Sequence, residues 1–198
     1  MSIPIRLVAG LGNPGREYAG TRHNCGFWFV DRLAAVLGVT FAAESKFGGE
    51  IAKAGEIRIL KPSTFMNLSG RAVAVAARFF GIDPDAILVV HDELDLKPGD
   101  AKMKLGGGVA GHNGLRDIHV QLGSPDFWRL RIGIGHPRDS EHPQQQVVDF
   151  VLHSPRPEER VAIDDALARA LALWPAIASG DMGRAMLELH TRPAQDGQ

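Results

Sequence analysis

The run Ile5-Arg6-Leu7-Val8-Ala9-Gly10-Leu11-Gly12-Asn13-Pro14-Gly15 decides how this 198-residue chain is read. Ile5 to Ala9 is a short apolar stretch that ends in glycine, the pattern of a buried first strand. The turn behind it, Gly10 to Gly15, fits G-x-G-x-x-G letter for letter and follows a strand, as a dinucleotide fingerprint requires. Two partners of that fingerprint are missing. Tyr18 to Arg22 reads as loop, so no helix starts inside the turn. No acid closes a second strand about 20 residues on, and Asp31 falls within a helix. The turn is expected to hold Asn13 at the mouth of the strand, with no NAD and no other cofactor.

Working outward, strands and helices mix along the whole chain. Phe27, Val30, Leu33, Ala34 and Leu37 keep helical spacing, with Asn24 as N-cap and Gly38 as stop. Glu50–Ala54 and Ile57–Lys61, split by Gly55, read as a hairpin. Leu68–Phe80 is a helix stopped by Gly81, and Gly114–Leu122 another stopped by Gly123, with Asn113 a candidate cap. Ile87–Val90, Ala101–Leu105 and Phe127–Ile134 are strands, and Gly106–Gly111 is a loop. Pro157 with Glu158-Glu159 opens a long helix carrying Ile163, Leu167, Leu171 and Trp174 on one face. Met182–Leu189 is a last short helix, and the tail after it is expected to fray. The expected fold is α/β: a single domain over residues 1–198, a mixed β-sheet flanked by helices on both faces. The Trp residues and the Phe79-Phe80 pair are expected in the core.

Bulk properties bound the function. The formal net charge is −1, so attraction for a polyanion must come from a local patch. Cys25 is the single cysteine, which rules out an internal disulfide framework and fits a reducing cytoplasm. No signal peptide is evident, and no apolar run approaches the ~20 residues of a membrane span. A cytoplasmic monomer without membrane contact is expected.

Polar clusters mark the chemistry. His23 lies in the loop Thr21-Arg22-His23-Asn24, where a neutral imidazole can take a proton from water near neutral pH. Such a base needs an acid on its other ring nitrogen. Asp92, just past a buried strand, is the best candidate. Glu93 and Asp95 are rivals placed further into the loop. Asn13, Asn67 and Asn113 can supply the fixed N–H donors that an ester or amide hydrolase aims at a developing oxyanion. Lys102 and Lys104 alternate along one strand and Arg129 and Arg131 along another, a pattern for phosphate or for a solvated sheet face. Cys25 is expected to face the core rather than act as nucleophile. His23, His91, Asp92 and His112 lack the spacing of an established metal motif, so no metal is expected.

Read in order, the clusters resemble a known family. G-L-G-N-P-G, Tyr18 with TRHN, K-P-x-T-F-M-N-x-S-G from Lys61 to Gly70, HDELDL with P-G, KLGGG, GHNGL and FWRLRIGIG-HP together resemble a bacterial-type peptidyl-tRNA hydrolase. The resemblance runs from Leu7 to Phe150. It implies cleavage of the ester between a peptide and the 3′ ribose of tRNA, with His23 as general base and Asp92 keeping it basic. It implies that Asn13 separates N-blocked esters from free aminoacyl esters. Tyr18, Phe65, Asn67 and Asn113 match positions that contact the tRNA end or the peptide. Met66 matches a wall of the peptide channel, and Lys104 and Arg131 a pair gripping the tRNA 5′ phosphate. Val109-Ala110 departs from the His-Gly or Ser-Gly common in such a loop. A non-catalytic RNA-binding role is the rival reading; the presence of His23, Asp92 and three asparagines favours the enzyme.

Overall fold

Seven strands form one sheet in the computed structural model, which describes residues 2–191. They are β1 (Leu7–Gly10), β2 (Ala42–Glu44), β3 (Gly49–Ala54), β4 (Ile57–Pro62), β5 (Ile87–Glu93), β6 (Ala101–Leu105) and β7 (Trp128–Gly133). The helices are α1 (Cys25–Val36), α2 (Ser69–Phe80), α3 (Asn113–Leu122), α4 (Val147–Val151), α5 (Pro157–Ala172), α6 (Trp174–Ser179) and α7 (Met182–His190). The sheet order is β2-β3-β4-β1-β5-β7-β6. The middle strands β4, β1, β5 and β7 are parallel, while β2, β3 and β6 pair antiparallel at the two edges.

Every residue of β1 and β5 is buried, so both faces of the sheet centre need cover. Side chains alternate between the faces. Val8, Leu88, Val90 and Ile132 meet Phe29 and Leu33 of α1, Ile163 and Leu167 of α5, Ile177 of α6 and Leu189 of α7. Leu7, Ala9, Leu60 and Val89 meet Val73 and Ala76 of α2 and Leu115 and Ile118 of α3. Each fully buried Leu, Ile or Phe contributes roughly 1.5–3 kcal/mol. This is the mixed sheet with helices on both faces that the sequence predicts.

The topology places a crevice. After β1 the chain builds β2, β3 and β4 on one side, then crosses through α2 to β5 on the other. The strand order therefore reverses at β1, and the carboxyl ends of β1, β4 and β5 open together, where open α/β sheets bind ligands.

Several expectations need correction. The edge strand β2 and the short helices α4 and α6 were not anticipated. The long helix stops at Ala172, because Pro175 cannot donate to the turn before it; Trp174 is buried nonetheless, at the start of α6. Phe79 is 61% exposed rather than core, its ring lying 4.2 Å beneath the Lys46 ammonium. Glu93 is not in a loop: it ends β5 and is buried. The N-cap of α3 is His112, not Asn113. The expected frayed tail falls mainly on residues 192–198, outside the described residues.

The glycines of the first turn serve close packing. A Cβ on Gly10 would sit 2.5 Å from the Gly26 carbonyl oxygen. One on Gly26 would lie 2.3 Å from the Val90 oxygen and 2.5 Å from the Leu11 nitrogen. The first turn of α1 thus rests directly on the backbone of β1 and β5, which carries the residues before it toward the end of β5. Gly26→Ala should cost about 1–3 kcal/mol in urea unfolding through overpacking. Gly183→Ala, in open space near the start of α7, should be neutral or slightly stabilising. Equal stability of the two variants would mean that the close approach is not a constraint.

Candidate active site

Three consecutive residues of the 3-10 turn before α1 are each pinned in a different direction. Arg22 is buried, with its guanidinium 4.0 Å above the Phe150 ring, 3.1 Å from the Phe150 carbonyl oxygen and 2.8 Å from Glu159 of α5. Asn24 turns toward the first loop. Its Oδ1 accepts the Asn13 N–H at 2.9 Å and its Nδ2 donates to the Asn13 carbonyl at 2.9 Å. Asn24 does stand at the N-cap position of α1, yet its side chain serves this clamp instead of the helix. Between these anchors His23 has one direction left.

That direction leads to Asp92. Nδ1 of His23 lies 2.9 Å from both carboxylate oxygens. A second imidazole shares the acid: Nε2 of His112 is 2.9 Å from Oδ1. The carboxylate is 3% exposed, so it is an ion taken out of water and held by two ring N–H groups. Burial alone would push the Asp92 pKa up, but the His23 and His112 rings outweigh it and hold the group well below the usual carboxylate range. For His23, burial pulls downward, while the charge and hydrogen bond of Asp92 more than compensate, so its pKa is raised. With Nδ1–H given to the acid, Nε2 is the basic lone pair. The pair opens on a cavity of about 360 Å³ that Asn113, Val109, Val147 and Val148 also line.

Asn13 and Met66 form a second group. Asn13 is buried, and its Oδ1 accepts the Met66 N–H at 2.7 Å, which ties the end of β1 to the turn after β4. Met66 is buried, with Sδ so close to Gly114 that a Cβ there would lie 2.7 Å away. Asn13 lines a separate cavity with Phe27 and Lys61 rather than the one in front of His23. Tyr18 and Phe65 meet edge to face, centroids 6.0 Å apart, and Phe65 is 55% exposed. Asn67 is exposed in the 3-10 turn after β4.

The basic residues form a third group. Lys104 and Arg131 line one cavity, which shares Glu93, Val109 and Ala110 with the cavity in front of His23. Nε of Arg131 donates to Glu93 Oε2 at 2.9 Å. Arg129 departs from the phosphate-face pattern. It is buried, and its guanidinium donates to the carbonyls of Gly108 and Gly107 at 2.6 and 2.8 Å, which fixes the loop before α3. In that loop Ala110 adopts a left-handed φ of 46°, a conformation that costs an alanine about 1–2 kcal/mol.

Comparison with known proteins identifies the family and the fold. The family model described as peptidyl-tRNA hydrolase matches residues 7–196. This chain belongs to that family. Peptidyl-tRNA hydrolases of Bordetella avium and Nitrosomonas europaea are 57% and 53% identical to it, covering 96% and 97% of this chain and 94% and 98% of theirs. A crystal structure of peptidyl-tRNA hydrolase from Acinetobacter baumannii is similar at a TM-score of 0.88 and 44% identity, covering 94% of this chain and 95% of that one. A structure of a peptidyl-tRNA hydrolase complexed with N-propanol gives a TM-score of 0.89 at 43% identity, covering 96% of each chain. Family, fold and enzyme class agree with the ordered motifs.

Two further groups bear on the chemistry. His23, Asp92 and His112 bring three potential ligand atoms within 4.8 Å, but these atoms already face one another at hydrogen-bond distance. Cys25 is fully buried, and burial, then the charge of Asp92, push its thiol well above the ordinary range, which suits a core residue and not a nucleophile. Among the described residues no helix is long and apolar enough to cross a membrane. Sequence reasoning missed Arg22, Asn24 and His112 as site-building groups. The signal for the first two was their position beside His23; for His112 it was its place before a helix start and in the set of histidines weighed as metal ligands. Asn24→Ala should cost about 1–3 kcal/mol in urea unfolding, because it strands two buried backbone groups of Asn13. A loss below about 0.5 kcal/mol would mean that the loop holds itself.

Proposed function

We propose that this protein hydrolyses the ester linking an N-blocked peptide to the 3′ ribose of tRNA, releasing the peptide and reusable tRNA. The observation that carries the reading is the His23 imidazole held at 2.9 Å by both oxygens of buried Asp92, beside a cavity. Membership of the family and the names of its relatives supply the substrate class.

Nε2 of His23 takes a proton from a water as the water attacks the ester carbonyl. Asp92 holds the ring in the tautomer that exposes Nε2 and stabilises the imidazolium that forms. The tetrahedral oxyanion is met by amide N–H donors, with Asn113, which lines the same cavity, as the nearest candidate. Collapse expels the ribose oxygen, which recovers the proton from the imidazolium. An ester leaving group and an activated water suffice for this route, without a metal or a covalent intermediate.

Selectivity and affinity belong to other residues. Asn13 Oδ1 is engaged by Met66, so its NH2 is the group offered to substrate. A donor there suits a peptide carbonyl and disfavours a free α-ammonium, which separates peptidyl from aminoacyl esters. Met66 walls the peptide side, and Tyr18, Phe65 and Asn67 meet the tRNA end, the exposed Phe65 ring and the half-buried Tyr18 offering faces for stacking. Lys104 and Arg131 take the 5′ phosphate in the shared basic cavity, a local patch on a chain of net charge −1. The proposal extends to a monomer working in the cytoplasm, where translation supplies peptidyl-tRNA.

The decisive assay is chromatographic release of N-acetyl-amino acid from tRNA, with free aminoacyl-tRNA as the control. His23→Ala should lower turnover by roughly 10²–10⁴-fold with tRNA binding largely kept. Near-normal turnover would remove His23 from its role. For the wild type, kcat/KM should rise with pH through a pKa above the ordinary 6.5, since only the neutral ring is a base. Asp92→Asn should cut the rate about 10²-fold or more and move that limb to lower pH. Lys104→Ala or Arg131→Ala should raise KM for tRNA substrates and flatten the log–log salt slope by about one or less, leaving small model esters alone. Equal damage on small esters would defeat the phosphate assignment.

A further inference from the structure

Asp92 answers to two imidazoles, and the mechanism above uses one. The other, His112, has both ring nitrogens committed. Nδ1 accepts the backbone N–H of Leu115 at 3.3 Å, which caps α3. A neutral ring that accepts at Nδ1 carries its proton on Nε2. That proton points at Asp92 Oδ1, 2.9 Å away. The start of α3 therefore fixes the tautomer of His112, and His112 fixes one oxygen of the acid. The next residue, Asn113, lines the same cavity as His23.

We propose that His112 is a positioning residue. It anchors and partly neutralises the Asp92 carboxylate, and so sets how tightly that acid grips the His23 ring. The proposal rests on the reading of His23 as general base. Two hydrogen bonds share the negative charge of one carboxylate. Removing the bond from His112 leaves the full charge to His23, which then holds its proton more strongly and yields its basic form only at higher pH. The freed carboxylate can also turn, so His23 is less well aimed and kcat falls. KM for tRNA changes little, because the phosphate-facing residues lie in the neighbouring cavity.

The surrounding charges leave the three-group cluster in control. Arg22 is paired with Glu159 at 2.8 Å, Arg131 with Glu93 at 2.9 Å, and Arg160 with Asp164 at 3.0 Å. Arg129 is turned onto the Gly107 and Gly108 carbonyls. Asp149 and His153, on and just after α4, are exposed. His91, edge-on to His112 at 5.0 Å between centroids, is neutral: burial, then His112, lower its pKa to about 3.

Two substitutions separate the roles of the ring. In His112→Asn the side-chain oxygen can replace Nδ1 as helix cap, and asparagine caps well, but nothing reaches Asp92. In His112→Gln the amide nitrogen can replace Nε2 at Asp92, but the cap is lost. Both variants, wild type and His23→Ala are assayed on N-acetyl-aminoacyl-tRNA, and the His23 ring is titrated by NMR in the free protein. For His112→Asn the expected results are a kcat about tenfold lower, an unchanged KM, and a His23 titration and acid limb shifted up by about half a unit or more. His112→Gln should recover most of both despite a lower melting temperature. Wild-type kcat and His23 titration in His112→Asn would overturn the proposal. So would losses that follow melting temperature across the two variants, since that pattern marks a cap alone. A fully active His23→Ala would instead overturn the underlying reading of the base.

Discussion

A carboxylate without water is the constraint around which this site is built. Asp92 is almost wholly buried, and an ion of that kind is costly by several kcal/mol unless its oxygens are fully hydrogen-bonded. Two imidazole N–H groups meet that need, from stretches far apart in the sequence: His23 before α1 and His112 before α3. A neutral imidazole can donate a hydrogen bond, so the negative charge can be held in place without being cancelled. That is the condition under which the acid can raise the pKa of a neighbouring ring. A salt bridge to arginine at the same spot would satisfy the oxygens equally well and leave less field for His23.

Much of the rest of the fold reads as what it takes to bring those two rings to one acid. The start of α1 reaches the end of β5 only because Gly10 and Gly26 let helix backbone touch strand backbone. Arg22 and Asn24 then remove the rotational freedom of the turn, one by gripping α4 and α5, the other by clamping Asn13. On the far side α3 is seated against α2, where Gly70 fits against the Asp117 carbonyl and the Gly70 N–H donates to the Asp117 carboxylate at 2.7 Å. The precision of the site therefore comes from packing against rigid elements, although the residues themselves lie in turns and at element ends.

Local chemistry made much of this legible in the sequence. The strand at Leu7–Gly10, the hairpin at β3–β4 and the glycine stops of α2 and α3 follow from apolar period and turn residues, and each appears within a residue or two of its expected place. His23 and Asp92 were legible too, because a polar loop and the end of a buried strand are where such groups emerge. What stayed hidden depends on partners distant in sequence. Glu93 looks like a loop acid until Arg131 is known to lie across the sheet. Arg129 looks like half of a phosphate grip until its donors are seen on the Gly107 and Gly108 carbonyls. Phe79 looks like core because its exposed face carries a lysine instead of a sheet. His112 could be grouped with His23 and Asp92 as a would-be metal ligand, but its hold on the acid could not be read without knowing which way the start of α3 points.

The pleat of β5 settles how opposite electrical demands coexist so near one another. His91, Asp92 and Glu93 are consecutive, and their side chains alternate between the two faces of the sheet. Asp92 turns toward His23, while His91 and Glu93 both line the cavity that holds Lys104 and Arg131. Glu93 balances Arg131 on that side. His91, kept neutral by burial and by His112, puts no positive charge between the acid and the arginines. A charged His91 would compete with His23 for Asp92 and push against Arg129 and Arg131. Its Nδ1–H is instead spent on the Asp92 backbone carbonyl at 2.7 Å, which stiffens the strand at the residue that matters most. One strand can thus present an anion to the His23 ring and a neutral, acid-balanced wall to the cavity of Lys104 and Arg131, because a period of two separates what three adjacent residues would otherwise short-circuit.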